Sequence, residues 1–159
     1  MREYEDLLHK AQKELRVGDH LLTQSFPVLK DTKILLGVLH NLCNAVNSGM
    51  DALLMYERIF KRIPPYQETF HYKLEIFKEI AQKNSFDKNY VKIIQDLNNL
   101  LKYHKDSPME FARKKHFVIC DEEYSMEKLT QNKLKNIFSI AKLFIDDVDL
   151  VLKTYKTEI

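Results

Sequence analysis

Apolar residues recur along this chain at intervals of three and four, and the pattern predicts helices for most of its length. A first helix spans about 3–25, with Leu7, Leu8, Ala11, Leu15, Leu21 and Leu22 on one stripe. Gly18 interrupts it at about 1 kcal/mol relative to alanine, which predicts a kink or close packing there. Phe26-Pro27 predicts its end, because the residue before proline is driven out of the helical region. A second helix starts at Asp31-Thr32, either of which can cap it, and runs to about 62. It is apolar round most of its circumference, so it sits at the centre of a bundle or is shared with a partner. Asn47-Ser48-Gly49 lowers its propensity at mid-length, tolerable where a neighbour packs closely. Pro64-Pro65 stops it.

A third helix covers about 67–83, with Phe70, Leu74, Phe77, Ile80 and Ala81 on one stripe, and Asn84-Ser85 breaks it. A fourth covers about 87–104, with Tyr90, Ile93, Ile94, Leu97, Leu100 and Leu101. A last helix covers about 131–155, with Leu134, Ile137, Phe138, Ala141, Phe144, Ile145, Val148, Val151 and Leu152. Between the last two the helical pattern lapses. Positions 109–112 predict one helical turn, and Phe117-Val118-Ile119-Cys120 reads as extended, pairing with 124–129. Short connections favour antiparallel neighbours. The expectation is one domain over 1–159: an all-α, antiparallel up-and-down bundle of about five helices, with a short irregular or hairpin-like insertion before the last helix.

Composition narrows the class. With 45% hydrophobic and 30% charged residues the chain is globular rather than disordered, and 3 Gly and 4 Pro imply long elements. The net charge of +2 does not by itself argue for nucleic acid. Cys43 and Cys120 are the only cysteines and make no secreted disulfide framework. Cys43 reads as a small core residue, and Cys120 as packed or reactive. No closely spaced Cys/His set suggests zinc, and no apolar run reaches the roughly 18 residues of a membrane span. The charged start, Met-Arg-Glu-Tyr-Glu-Asp, opens an amphipathic helix rather than a signal peptide. A cytoplasmic protein with no membrane partner, no metal and no cofactor is expected.

Charge distribution is more informative. Lys102, His104, Lys105, Arg113, Lys114, Lys115 and His116 crowd the non-helical stretch, opposed only by Asp106 and Glu110. Lys and Arg neutralise phosphates, and Tyr103, Phe111 and Phe117 among them can stack on unpaired bases. Lys102, Lys105, Arg113, Lys114, Lys115 and His116 are therefore candidate nucleic-acid contacts. The bland alternative is a solvated loop whose aromatics plug the bundle end. Arg113 with His116 or His104 also contains the parts for metal-free RNA cleavage, an imidazole base and a guanidinium for a pentavalent phosphate. No carboxylate set suggests a metal; Asp146, Asp147 and Asp149 read as a solvated acidic face.

A polar seam marks the second helix. His40, Asn44, Asn47, Asp51 and Arg58 fall on one face of an otherwise apolar element. The seam faces solvent, a dimer interface or a binding groove, since buried polar groups without partners are costly.

The layout resembles the HEPN superfamily of helical-bundle proteins. Similar features are a first helix ending Gly-Asp-His-Leu-Leu at 18–22, a long apolar second helix over 42–60, a basic Arg…His segment, and a last helix of the 134–152 type. The chain also resembles small archaeal proteins of unassigned function. Catalytic HEPN members carry an Arg followed four to six residues later by His, whereas two residues separate Arg113 from His116. The resemblance therefore implies a non-catalytic member that binds RNA or a nucleotide. The alternative is a protein-interaction or structural module that homodimerises through the second helix, and the third reading is a metal-independent ribonuclease.

Overall fold

The computed structural model describes the backbone of residues 2–106, 110–112, 116–120 and 126–157, and the side chains of 2–102 and 129–154. It is an all-α antiparallel up-and-down bundle with a small stranded insertion before the last helix. Helix α1 spans Glu3–His20, and Glu3, Glu5 and Asp6 in its first turn complement the helix dipole. Its buried stripe is Tyr4, Leu8, Ala11 and Leu15. Gly18 marks close packing, since a Cβ there would lie 3.3 Å from the Cβ of Asn41.

The expected stop at Phe26-Pro27 is corrected. The helix widens into a π-helical turn at Leu21–Ser25 and continues as α2, Phe26–Leu29, ending at Lys30 with φ 53°. Proline removes a donor and presses on the preceding turn, and the wider turn accommodates it. The Phe26 N–H now donates to the Leu21 carbonyl. In that register the Leu22 carbonyl faces position 27, where proline has no N–H. The Nε2 of Gln131 donates to it instead, at 3.2 Å.

Helix α3, Lys33–Ile59, is the centre of the bundle, as its apolar circumference predicts. The Asp31 carboxylate, not Thr32, accepts the Lys33 N–H at 3.0 Å. At the far end Lys61 adopts φ 58°, while the N–H groups of Lys61 and Arg62 donate to the carbonyls of Arg58 and Glu57. This Schellman closure stops the helix before Pro64-Pro65 is reached. α1 and α3 are antiparallel: Tyr4 meets Tyr56 edge-on at one end, and Leu21 lies over Gly37 at the other.

Helix α4 is Phe70–Lys83, closed by a second Schellman turn with Ser85 at φ 55°. Helix α5 is Lys88–Asp106, and Asp87 accepts the Asn89 N–H at 2.8 Å at its start. The insertion follows: β1 Glu110–Ala112, β2 His116–Cys120 and β3 Met126–Thr130, antiparallel in the order β1-β2-β3. β2 pairs with β3 as expected, with Phe117 opposite Leu129. The helical turn expected over 109–112 is corrected: Glu110–Ala112 pair with Ile119–Phe117, and ladder hydrogen bonds to β2 replace local helical ones. Thr130 then caps α6, Gln131–Thr157, its Oγ1 accepting the Lys133 N–H at 3.1 Å.

Helix α6 seals the core. A Cβ on Gly49 would lie 2.4 Å from Cδ1 of Ile145 and 3.2 Å from the Phe144 ring. The mid-helix glycine of α3 therefore admits α6 side chains. Phe77, Phe86 and Tyr90 gather round Phe144 at centroid distances of 5.5, 6.4 and 5.4 Å. Among the described residues no helix is long and apolar enough to cross a membrane.

Two measurements test this account. Gly49→Val should destabilise by about 1–3 kcal/mol in urea denaturation, the usual cost of overpacking, whereas Gly37→Ala, whose Cβ meets only ordinary contact at 3.5 Å, should stabilise by about 0.5–1 kcal/mol. Gln131→Leu should cost about 1–3 kcal/mol by orphaning the Leu22 carbonyl. Adding Pro27→Ala restores a backbone donor, so the double variant should recover much of that loss; strict additivity would refute the π-turn explanation.

Candidate nucleic-acid interface

Among the described residues, Lys102, Lys105 and His116 fall at one end of the bundle, on two elements that lead toward the start of α6. Lys102 is exposed on the penultimate turn of α5, and the backbone places Lys105 on its last turn. His116 begins β2 and pairs across the ladder with Thr130, the residue that caps α6. Lys133, half-buried, lies in the first turn of α6. The N-terminus of that helix adds a positive field. Arg113, Lys114 and Lys115 fall outside the described residues, as do the side chains of His104, Lys105 and His116.

The seam on α3 proves to be divided. Asn47 and Asn98 of α5 exchange a reciprocal amide pair, at 3.0 and 2.9 Å. Asn98 also donates to the Ile94 carbonyl at 2.7 Å. Asp51 accepts a charged hydrogen bond from Lys73 of α4 at 3.0 Å, and Glu68 lies 3.4 Å from the same ammonium. Arg58 is exposed and stacks over the Tyr66 ring, its guanidinium carbon 5.6 Å from the centroid. His40 and Asn44 are exposed. Two of the five seam positions, Asn47 and Asp51, thus bind the bundle's own helices, and the other three are exposed.

Other candidates settle into structural roles. Cys43 is buried beside Asn47, and burial pushes its thiol up to about 11, which leaves it unreactive at neutral pH. Asp146 and Asp149 pair along their own helix with Lys142 and Lys153, at 3.8 and 3.0 Å. Asp147 accepts the Tyr90 hydroxyl at 2.5 Å, and burial together with that carboxylate holds the phenol well above its usual range. Glu57 is buried and meets the Arg62 Nε at 2.7 Å. Among the described residues no group of three or more His, Cys, Asp or Glu is arranged to hold a metal ion.

One feature of this end escapes sequence reasoning. A groove of about 450 Å³ runs between α5 and α6. Its floor includes Ile93, Leu100, Ile137 and Ile140, and Lys92, Asp96, Asn99, Lys133 and Asn136 stand on its rims. The only signal in the sequence is that polar positions 89, 92, 96 and 99 follow helical spacing beside the apolar stripe. That spacing describes an edge, and the second wall comes from a helix more than thirty residues later. No protein-family model matches the chain, and comparison with curated proteins and with solved structures finds no match.

The Asn47–Asn98 pair gives a direct test of how the seam is used. Asn47→Ala and Asn98→Ala each leave a half-buried amide short of a partner and should cost about 1–3 kcal/mol. A double-mutant cycle by chemical denaturation should give a clearly non-additive sum. Additive losses would mean that the amides do not bond across the α3–α5 interface in solution.

Proposed function

We propose that this chain is a HEPN-like, non-catalytic domain of the cytoplasm that binds RNA or a nucleotide, with Lys102, Lys105, Arg113, Lys114, Lys115 and His116 meeting the phosphates. The supporting observation is convergence. The end of α5, the start of β2 and the capped N-terminus of α6 adjoin one another. The backbone positions of Lys102, Lys105 and His116 thereby fall at one end of a rigid scaffold, which supports a reading in which an extended polyanion touches several cations at once. Affinity then comes mainly from counterion release and depends steeply on salt.

Direct titration of a generic single-stranded RNA tests this. With about five phosphates neutralised, affinity should fall roughly 100-fold between 50 and 200 mM salt. Replacing Arg113, Lys114 and Lys115 together by Gln should weaken binding at 50 mM salt by about tenfold or more and flatten the salt slope. Absence of binding at low salt would remove the proposal. The RNA should stay intact in chelator; cleavage abolished by Arg113→Ala would replace binding by metal-independent ribonuclease activity.

A second reading, a protein-interaction module, is favoured by the end of α2, where Val28 and Leu29 are 80% and 67% exposed. A homodimer in solution that survives Asn44→Arg but is dissolved by Val28→Asp with Leu29→Asp would support that reading and place its interface at the end of α2 rather than on the α3 seam.

A further inference from the structure

We infer that the α5–α6 groove receives one guanine nucleotide unit, either a residue of single-stranded RNA or the free mononucleotide, with its phosphate at the Lys133 end. The inference rests on the reading of this bundle end as a phosphate-binding surface. A volume of about 450 Å³ lies within the range of small-ligand sites. The apolar floor is narrow, because Ile93 and Leu100 are each only 5% exposed. A partner helix would find little there to cover, whereas the face of a single planar ring can lie along such a strip.

The rims set the chemistry. Asp96 and Asn99 stand one turn apart on α5, and Asn136 faces them from α6. Their side chains make no hydrogen bond or ion pair among the described residues. A carboxylate only accepts, while an amide both donates and accepts. The Watson–Crick edge of guanine presents two adjacent N–H donors, which match the two oxygens of Asp96. Its O6 and N7 accept, which suits the amide N–H groups of Asn99 or Asn136. Adenine and uracil lack the paired donors.

Charge fixes the orientation. Asp96 repels a phosphate at mid-groove. The N-terminal turn of α6 and the exposed Lys102 on α5 attract one at the end of the groove that Lys133 lines. Toward the opposite end α5 and α6 are joined by the Tyr90–Asp147 contact, where a carboxylate again disfavours an anion. Base central and phosphate outward is the arrangement that meets both constraints.

The test uses the full chain at 50 mM salt, titrated by NMR or calorimetry with GMP, AMP, UMP and inorganic phosphate, and with short single-stranded RNAs with and without guanine. GMP should bind about tenfold more tightly than AMP or UMP, the discrimination of one bidentate contact, and inorganic phosphate more weakly than any. Asp96→Asn, at an exposed position, should erase the preference while the circular dichroism spectrum stays unchanged; Asn136→Ala should weaken GMP severalfold. If RNA binds in a salt-dependent way but guanine confers no advantage and Asp96→Asn changes nothing, the groove assignment is overturned and the basic-end reading stands. If neither RNA nor any nucleotide binds, both fall.

Discussion

The architecture depends on how closely α6 approaches α3 at Gly49. The missing side chain lets Ile145 and Phe144 reach the central helix, and a Cβ would meet Ile145 at 2.4 Å. Phe144 then becomes the post round which Phe77, Phe86 and Tyr90 pack from α4, the turn after it and α5. One glycine, unfavourable for an isolated helix, thus fixes the positions of three other elements. Close-packed interiors transmit such a constraint because they contain little free volume to absorb a displaced side chain.

A second constraint joins the beginning of the chain to its last helix. Pro27 forces a wider turn, the wider turn leaves the Leu22 carbonyl without a backbone donor, and Gln131 supplies one. Gln131 directly follows Thr130, which pairs with His116 in the insertion and caps α6. A local defect in α1 therefore anchors the root of the basic segment. Buried carbonyls are almost always satisfied, and here the donor comes from 109 residues away.

These constraints fix the end of the bundle where α5, β2 and the start of α6 adjoin. Strand β2 begins at His116 and is tied through Thr130 of β3 to the start of α6, and the helices supply rigidity that isolated loops lack. Polar residues that look alike in the sequence then part ways. Asn47 and Asp51 join helix to helix inside the bundle, while Asp96, Asn99 and Asn136 keep their polar atoms open to the groove. The distinction is one of neighbours rather than residue type.

Helices were legible from periodicity, because burial of one stripe leaves a repeat near 3.6 that local spacing records. The central place of the second helix followed from its apolar circumference, and the β2–β3 pairing from a short apolar run. The membrane span excluded by apolar run length is absent from the described helices. Non-local contacts decided the rest. Whether Pro27 stops or widens a helix depends on a partner for Leu22, whether Glu110–Ala112 coil or extend depends on β2, and whether Asn47 faces a partner subunit or Asn98 depends on where α5 packs. Local spacing specifies which face of an element is apolar; only the assembled bundle determines what each polar group meets across a gap in the chain.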